Sequence, residues 1–250
     1  MTRPFVLAQL SDPHIGGEWA GGGSIAGLEA VVEAAAATRP DAVLVTGDLA
    51  DHAAGEEYER ARGLLARLGA FLHVLPGNHD DRAELRRWFD VGGAGDEPVA
   101  YAAGLGPLRL VVIDTTRPGH DDGELDAGRL EWLDGTLAAD RAAPTLVAMH
   151  HPPLVTGAPS LDSAGLAEDG RRGLANVLTR HPHVRRVITG HLHRVMAGEC
   201  GDRTVLTAPS TYVQLALDFE DPKMRPTDEP RGFVVHAMTD GELVSHVVTV

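Results

Sequence analysis

The chain has 250 residues, 43% hydrophobic and 23% charged, which suits one large globular domain or two small ones. Its formal net charge of −14 disfavours non-specific binding to nucleic acid or to an anionic membrane, because phosphate groups attract basic patches. No apolar run approaches the roughly 18 residues of a membrane span, and the single cysteine, Cys200, excludes an intramolecular disulfide.

The start of the chain does not have the pattern of a signal peptide, since the apolar segment 5–10 is short and polar residues follow it at once. We therefore expect a cytoplasmic protein that binds neither a nucleic-acid polymer nor a membrane.

Short apolar runs alternate with helical patterns along most of the chain. Buried strands are predicted at 5–10, 42–46, 71–75, 109–114, 145–149 and 184–189. Helices are predicted at 25–37, 58–68, 83–89, 127–137 and 171–180. Alternation of strands and helices indicates an α/β fold, and three further strands, 204–208, 233–238 and 243–250, close the chain.

We expect residues 1–250 to form a single domain, with Cys200 in a hairpin around 199–202. Two segments, 152–170 and 218–232, are rich in Pro, Gly and acidic residues and are candidates for a lid or for a homodimer interface.

Polar clusters follow five of the predicted strands. They are Asp12-Pro13-His14, Gly47-Asp48, Gly77-Asn78-His79-Asp80, His150-His151-Pro152 and Gly190-His191-Leu192-His193. In open α/β sheets, ligands bind beyond the carboxyl ends of strands, so the clusters are expected to converge. Their oxygen and nitrogen donors predict two adjacent metal ions, an arrangement that promotes displacement at phosphorus.

Taken singly, each cluster has an ordinary explanation. Asp12 and His14 could form a surface turn, and Asp48 could cap a helix. Residues two apart in an extended segment point the same way, so Asp12 with His14, and likewise His191 with His193, can reach one ion. Adjacent His150 and His151 face opposite sides of a strand, so only one is expected to bind metal.

The remaining histidines have plainer interpretations. His73 is predicted to lie in a strand. The others are predicted to lie at surfaces or in turns: His52, His120, His181, His183, His236 and His246.

The ordered set of clusters resembles the calcineurin-like metallophosphoesterase superfamily, and within it the class III cyclic-nucleotide phosphodiesterases and their glycerophosphodiesterase relatives. Supporting segments are Leu49-Ala50-Asp51, Gly123-Glu124-Leu125, Leu130-Glu131-Trp132-Leu133, His150-His151-Pro152-Pro153, and Ala208-Pro209-Ser210-Thr211 with Gln214. The resemblance implies a four-layer α/β/β/α sandwich.

The resemblance also implies roles for individual residues. One metal would be held by Asp12, His14, Asp48 and His193, and the second by Asp48, Asn78, His150 and His191, with Asp48 bridging. His150, in the H-x-P position, is chosen over His151. His79 and Asn78 would act on the substrate in catalysis, and Arg194 is a further candidate for substrate binding.

The expected activity is hydrolysis of small phosphodiesters by a hydroxide that bridges two metals, with 3′,5′- or 2′,3′-cyclic AMP as the leading substrate class. All-nitrogen and oxygen ligation allows Mn, Fe, Zn or Co. The alternatives are a phosphomonoesterase for nucleotides or phosphoproteins, a glycerophosphodiesterase, and a non-catalytic binding module.

Asp51 stands where purple acid phosphatases have a tyrosine ligand, which excludes the iron-tyrosinate chromophore. The late substrate loop near Tyr212 lacks the histidine of the glycerophosphodiesterases, which favours the cyclic-nucleotide branch.

Overall fold

The computed structural model describes residues 3–250, which form two central β-sheets flanked by helices. The strands are β1 (Phe5–Leu10), β2 (Ala42–Thr46), β3 (Phe71–Leu75), β4 (Ala100–Leu105), β5 (Leu108–Ile113), β6 (Thr145–Ala148), β7 (Val184–Thr189), β8 (Ala197–Cys200), β9 (Arg203–Thr207), β10 (Gln214–Leu215), β11 (Pro226–Thr227), β12 (Gly232–Thr239) and β13 (Glu242–Thr249). The helices are α1 (Ser24–Ala37), α2 (Gly55–Leu65), α3 (Arg82–Trp88), α4 (Ala127–Ala139), α5 (Pro159–Asp162) and α6 (Glu168–Arg180).

The first sheet has the order β13-β12-β1-β2-β3, and the second has the order β4-β5-β6-β7-β9-β8. In the first, β1, β2 and β3 are parallel. In the second, β5, β6, β7 and β9 are parallel, with antiparallel strands at both edges. The carboxyl ends of the parallel strands are therefore available to carry loops at one edge of each sheet.

Alternation of side chains along the strands builds the layers. In β5, Leu110 and Val112 pack between the two sheets, whereas Val111 and Ile113 join the cluster that includes Leu133 of α4. The same alternation in β1 and β2 divides their side chains between the inter-sheet layer and the layer under α1 and α2. Successive strand residues point to opposite faces, so both sheets are covered on both faces. The four-layer α/β/β/α sandwich is confirmed.

Most predicted elements are present within a few residues of their predicted bounds. The turn between β8 and β9 places Cys200 opposite Arg203, as the predicted hairpin requires. Strand β4 was not predicted, because its sequence Ala-Tyr-Ala-Ala-Gly-Leu has few residues that favour strands. It forms because it pairs with β5 at the edge of the second sheet.

The two candidate lid segments differ in burial. Segment 152–170 contains α5, and its Ala158, Leu161 and Leu166 are buried. Segment 218–232 pairs with β10 through β11 and exposes Phe219 and Met224. None of the helices within residues 3–250 combines the length and apolar character needed to cross a membrane.

Candidate metal centre

All seven predicted ligand residues lie beyond the ends of parallel strands. Asp12 and His14 follow β1, Asp48 follows β2 and Asn78 follows β3, so the first sheet supplies four. The second sheet supplies the other three from the loops after β6 and β7: His150, His191 and His193. The structure brings these seven side chains together where the carboxyl ends of the two sheets meet.

The backbone at this centre adopts a conformation that side chains other than glycine rarely take. Asp12, His14, Asp48, His191 and His193 all have positive φ angles, between 43° and 71°. Such a conformation is costly for residues with a Cβ atom and is concentrated at functional sites. The loops therefore hold the polar side chains over the strand ends at the expense of local strain.

Close packing of the loops requires glycine beside the ligand residues. A Cβ atom on Gly77 would lie 2.1 Å from Oδ1 of Asp48. A Cβ atom on Gly190 would lie 1.9 Å from Oγ of Ser11 and 2.9 Å from Oδ2 of Asp12. Any larger residue at either position would displace the Asp48 or Asp12 loop.

Four donors form the first group: Asp12, His14, Asp48 and His193 offer atoms that lie within 4.8 Å of one another. Nε2 of His14 lies 3.1 Å from Nε2 of His193 and 3.4 Å from Oδ2 of Asp48. Nε2 of His193 lies 3.6 Å from Oδ1 of Asp12. All four residues are buried, so this group is not an ordinary cluster of exposed polar residues.

A second group surrounds His150. Its Nε2 atom lies 3.4 Å from Oδ2 of Asp48, 3.1 Å from Oδ1 of Asn78 and 3.1 Å from Nδ1 of His191. The same Asp48 oxygen therefore faces both groups. The other oxygen, Oδ1, accepts a hydrogen bond of 2.9 Å from the backbone N–H of His79, which fixes the carboxylate between them.

Hydrogen bonds on the outer ring nitrogens fix the histidine orientations. Nδ1 of His150 donates to the carbonyl of Thr46 at 2.7 Å, and Nδ1 of His193 donates to the carbonyl of Val213 at 2.7 Å. Nε2 of His191 donates to the carbonyl of Ala164 at 2.8 Å. Because a carbonyl can only accept, each of these outer nitrogens carries a proton, and the opposite nitrogen of each ring faces the centre as the one available to a metal.

His14 is oriented by a carboxylate. Its Nδ1 atom donates to Oδ1 of Asp51 at 2.9 Å, which leaves Nε2 for the centre. The hydrogen bond to His14 holds the pKa of Asp51 below its usual value. Asp51 is therefore placed as the outer partner of a predicted ligand histidine, a role that the sequence did not suggest.

Burial and charge set the protonation of the centre without bound metal. Burial would raise the pKa of Asp48, yet the charges of His150 and His14 hold it well below its usual value. Burial would lower the pKa of His150, but the Asp48 carboxylate raises it to about 9. Burial and the charge of His150 lower the pKa of His191 to about 3. A cation must displace the His150 proton, so metal binding should weaken as the pH falls.

Asp80 is a second residue whose role was missed. Its partly buried carboxylate accepts hydrogen bonds from the backbone N–H groups of Leu49, Ala50 and Gly77, at 2.9 to 3.2 Å. Asp80 thereby ties the Asp48 loop to the loop after β3. The Gly-Asn-His-Asp pattern drew attention to Asp80 but did not show what it binds. Its three backbone N–H donors are seen only in the folded structure.

His79 and His151 lie on different sides of the centre. His79 lines the cavity in front of it, is 38% exposed, and donates from Nδ1 to the carbonyl of Asp51 at 2.9 Å. The buried ring of His151 lies near His191, but its nitrogens contact Oγ1 of Thr115 at 2.8 Å and the carbonyl of Asp121 at 3.2 Å. Both His151 nitrogens are thus engaged away from Asp48.

Arg194 lies elsewhere than expected. Its guanidinium donates to the carbonyl of Leu215 and to Oε1 of Glu229, the latter at 3.0 Å, and it does not line the cavity. The expectation that Arg194 contacts substrate is therefore not supported, because its charge is already paired. Two other arginines that lie near the clusters in the sequence are also paired with carboxylates: Arg82 with Asp114, and Arg117 with Asp122.

One other histidine departs from its prediction. His236 was predicted at a surface or in a turn but is fully buried in β12, whereas His181, buried beside Asp134, does lie in the turn before β7.

A cavity of about 360 Å³ opens onto the centre. Its polar lining comes from the two donor groups and their neighbours, including Asp51, Asn78, His79 and Asp121. Its apolar lining includes Trp19, Tyr212, Leu215 and Met224. Within residues 3–250, no lysine or arginine lines this cavity.

The donor set fits two metal ions. The carboxylate, amide and imidazole donors suit Mn, Fe, Zn or Co, and no lysine or arginine of residues 3–250 lines the cavity beside the Asp48 carboxylate. Residues 5–195 match the family model described as calcineurin-like phosphoesterase. The chain belongs to this family. Family members depend on two metal ions, which agrees with two donor groups that share Asp48.

Two relatives place this phosphoesterase among enzymes that are named for phosphodiesters. It is 38% identical over 203 residues to the cAMP/cGMP dual specificity phosphodiesterase of Mycobacterium tuberculosis, covering 76% of this chain and 63% of the relative. It is 34% identical over 212 residues to a glycerophosphodiester phosphodiesterase of Enterobacter lignolyticus, covering 83% and 76%. The chain thus spans less than two thirds of the mycobacterial relative.

A solved structure confirms the fold. A dimetal phosphatase from Danio rerio superposes with a TM-score of 0.78, covering 99% of this chain and 97% of the other at 18% identity. The expected resemblance to cyclic-nucleotide phosphodiesterases and glycerophosphodiesterases is confirmed by the relatives.

Proposed function

We propose that this phosphoesterase is a dinuclear-metal-dependent phosphodiesterase for small phosphodiesters, with cyclic nucleotides as its preferred class. Asp12, His14, Asp48 and His193 would hold one metal, and Asp48, Asn78, His150 and His191 the other. The observation that carries the proposal is the position of Asp48: its Oδ2 atom lies 3.4 Å from Nε2 of His14 and 3.4 Å from Nε2 of His150.

The chain's own residues have distinct tasks around the metals. Two adjacent bound metal ions would supply positive charge to phosphoryl oxygens and lower the pKa of a coordinated water. The amide of Asn78 adds no negative charge beside a phosphate. His79, with Nδ1 engaged by the Asp51 carbonyl, has Nε2 as its second position for a proton.

Hydrolysis joins a water oxygen to phosphorus and breaks one bond from phosphorus to an ester oxygen. A doubly protonated His79 would give its proton to that departing oxygen, completing the alcohol product. Its partial exposure and place in the cavity wall support contact with substrate.

The charge of the cavity favours a diester. A phosphodiester carries one negative charge, whereas a monoester dianion gains more from additional cationic side chains. No arginine or lysine from residues 3–250 lines the cavity, and Arg82, Arg117 and Arg194 are each paired with a carboxylate. The metals would therefore be the main source of positive charge for the substrate.

A glycerophosphodiester is the second candidate substrate, favoured by the 34% identity to the Enterobacter lignolyticus enzyme. The test is a hydrolysis panel on chelator-treated protein reloaded singly with Mn, Fe, Zn or Co. Its substrates are 3′,5′-cyclic AMP, 2′,3′-cyclic AMP, glycerophosphoethanolamine, bis-nitrophenyl phosphate and nitrophenyl phosphate. We expect a cyclic nucleotide to give the highest kcat/KM. A tenfold preference for the monoester over every diester would overturn the substrate class.

A further inference from the structure

The cavity in front of the metal centre has both polar and apolar lining. Asp48, Asn78 and His191 are among its polar residues, and its apolar wall includes Trp19 and Met224, which are 43% and 40% exposed. Trp19 is the most exposed of the three tryptophans, since Trp88 and Trp132 pack partly against the cores. An indole that lines a cavity while remaining accessible is placed to contact a ligand.

Trp19 is connected to the metal centre by a short, ordered segment. The N–H of Gly17 donates to the carbonyl of His14 at 2.8 Å, and Trp19 begins a single helical turn two residues later. The hydroxyl of Tyr212 donates to the carbonyl of Trp19. A Cβ atom on Gly17 would lie 3.1 Å from Cε1 of Tyr212, so the segment packs closely on this ring.

Tyr212 itself is held against the centre. It is buried, its ring centroid lies 6.3 Å from that of His14, and its N–H donates to Oγ of Ser210. Oγ of Ser210 in turn donates to the carbonyl of Asp12 at 2.8 Å. The aromatic wall and the Asp12 loop are thus parts of one hydrogen-bonded unit, which sets the distance from the indole to the reacting phosphate.

The chemistry of this wall selects an aromatic substituent. Trp19, Tyr212 and Met224 offer flat or polarisable surfaces without charge. Stacking of an aromatic side chain on a nucleobase strengthens binding, and it does so for every base. A glycerol or ethanolamine group would gain little from such a surface, because it needs hydrogen-bond partners. The volume of about 360 Å³ lies within the usual range for small-ligand sites, roughly 300–1,000 Å³.

We propose that Trp19, supported by Tyr212 and Met224, forms a nucleobase-binding subsite for a cyclic nucleotide whose phosphate lies at the metal centre. The inference rests on the proposed function and makes it more specific. Trp19 contacts the base and so favours substrates that carry a nucleobase over those that do not. Tyr212 positions Trp19 through its hydroxyl group.

The kinetic test compares 3′,5′-cyclic AMP with the same ribose cyclic phosphate carrying a methyl group in place of the base. Trp19→Ala should raise KM for cyclic AMP about tenfold and leave kcat/KM for the base-free compound within about twofold. Trp19→Phe should restore most of the affinity. Phe71→Ala is the control, since Phe71 is 80% exposed outside the cavity. Equal losses on both substrates would overturn the subsite.

A binding test separates this inference from the proposed activity. In a Trp88→Phe/Trp132→Phe background, the only tryptophan fluorescence comes from Trp19. Cyclic AMP should quench it saturably, and the base-free cyclic phosphate should not. Quenching without hydrolysis of any diester would support the subsite and refute the proposed function. Hydrolysis of cyclic AMP without quenching would refute the subsite alone.

Discussion

Nε2 of His236 lies 2.9 Å from Oε1 of Gln9, and both side chains are fully buried in the first sheet. The Gln9 amide nitrogen donates to Oγ1 of Thr46 at 3.1 Å and to the carbonyl of Thr189, in the second sheet, at 2.9 Å. The carbonyl of Thr46 accepts the hydrogen bond from His150. A polar network thus runs beneath the metal centre and joins the two sheets.

Gln9→Leu should destabilise the protein by about 1–3 kcal/mol, because it leaves His236 and the carbonyl of Thr189 without their buried partners. Urea unfolding in a chelator measures the change. In the double variant Gln9→Leu/His236→Leu, the loss should be smaller than the sum of the two single losses, since both partners of one hydrogen bond are removed together. Additive losses would show that the contact contributes nothing to stability.

His236 should contribute to acid sensitivity. Burial, with a smaller effect from the charge of Arg186, lowers its pKa in the folded protein from 6.5 to about 3. Between these pH values the unfolded chain binds one proton more than the folded chain, so the free energy of unfolding falls as the pH falls. The contribution is at most about 1.4 kcal/mol per pH unit.

His236→Gln should therefore flatten the acid side of the stability curve between about pH 6 and pH 4. Urea unfolding at several pH values in EDTA measures how the free energy of unfolding changes with pH. The protein is metal-free throughout, so loss of metal at low pH does not contribute. His246→Gln, at an exposed position of β13, is the control and should keep the wild-type slope. An unchanged slope in His236→Gln would mean that His236 titrates alike in the folded and unfolded chain.

Asp51→Ala should weaken metal binding about 10- to 100-fold, the usual effect of losing the outer partner of a ligand histidine. The reason is that His14 loses the acceptor for its Nδ1 proton. Asp51→Asn keeps an acceptor oxygen and should retain most of the affinity. Metal titration by calorimetry measures both, with the exposed Asp169→Ala as control. Wild-type affinity in Asp51→Ala would contradict this orientation of His14.

His79→Ala should retain both metals and lose about 10²–10⁴-fold in kcat for alkyl phosphodiesters. The loss should be smaller for bis-nitrophenyl phosphate, because nitrophenolate leaves readily without a proton. His120→Ala, at an exposed loop position, is the control. Metal loss on substitution of His79 would instead make it a ligand.

The strand-end positions of the polar clusters made the seven donors predictable, because apolar runs followed by Gly-Asp or Gly-His-x-His can be recognised without coordinates. The outer contacts could not be predicted in this way. The bond of Asp51 to His14, the Asp80 contacts to Leu49 and Ala50, and the pairing of Arg194 with Glu229 join residues that only folding brings close.

Buried polar residues were the second limit. His236 looked like a surface residue because histidine is usually at least partly exposed, and one of its two partners, Gln9, lies 227 residues away in the sequence. Strand β4 was missed for a related reason, since pairing with β5 outweighs its weak strand propensity.

The central claim is that two metals share Asp48. The most direct measurement is the metal-to-protein ratio after equilibrium dialysis, determined by elemental analysis together with kcat on the best diester, for wild type and Asp48→Ala. We predict two ions per wild-type chain. In Asp48→Ala we predict loss of at least one ion and of nearly all activity, because the carboxylate oxygen that faces both His14 and His150 is gone. Two retained ions with full activity in Asp48→Ala would contradict the account.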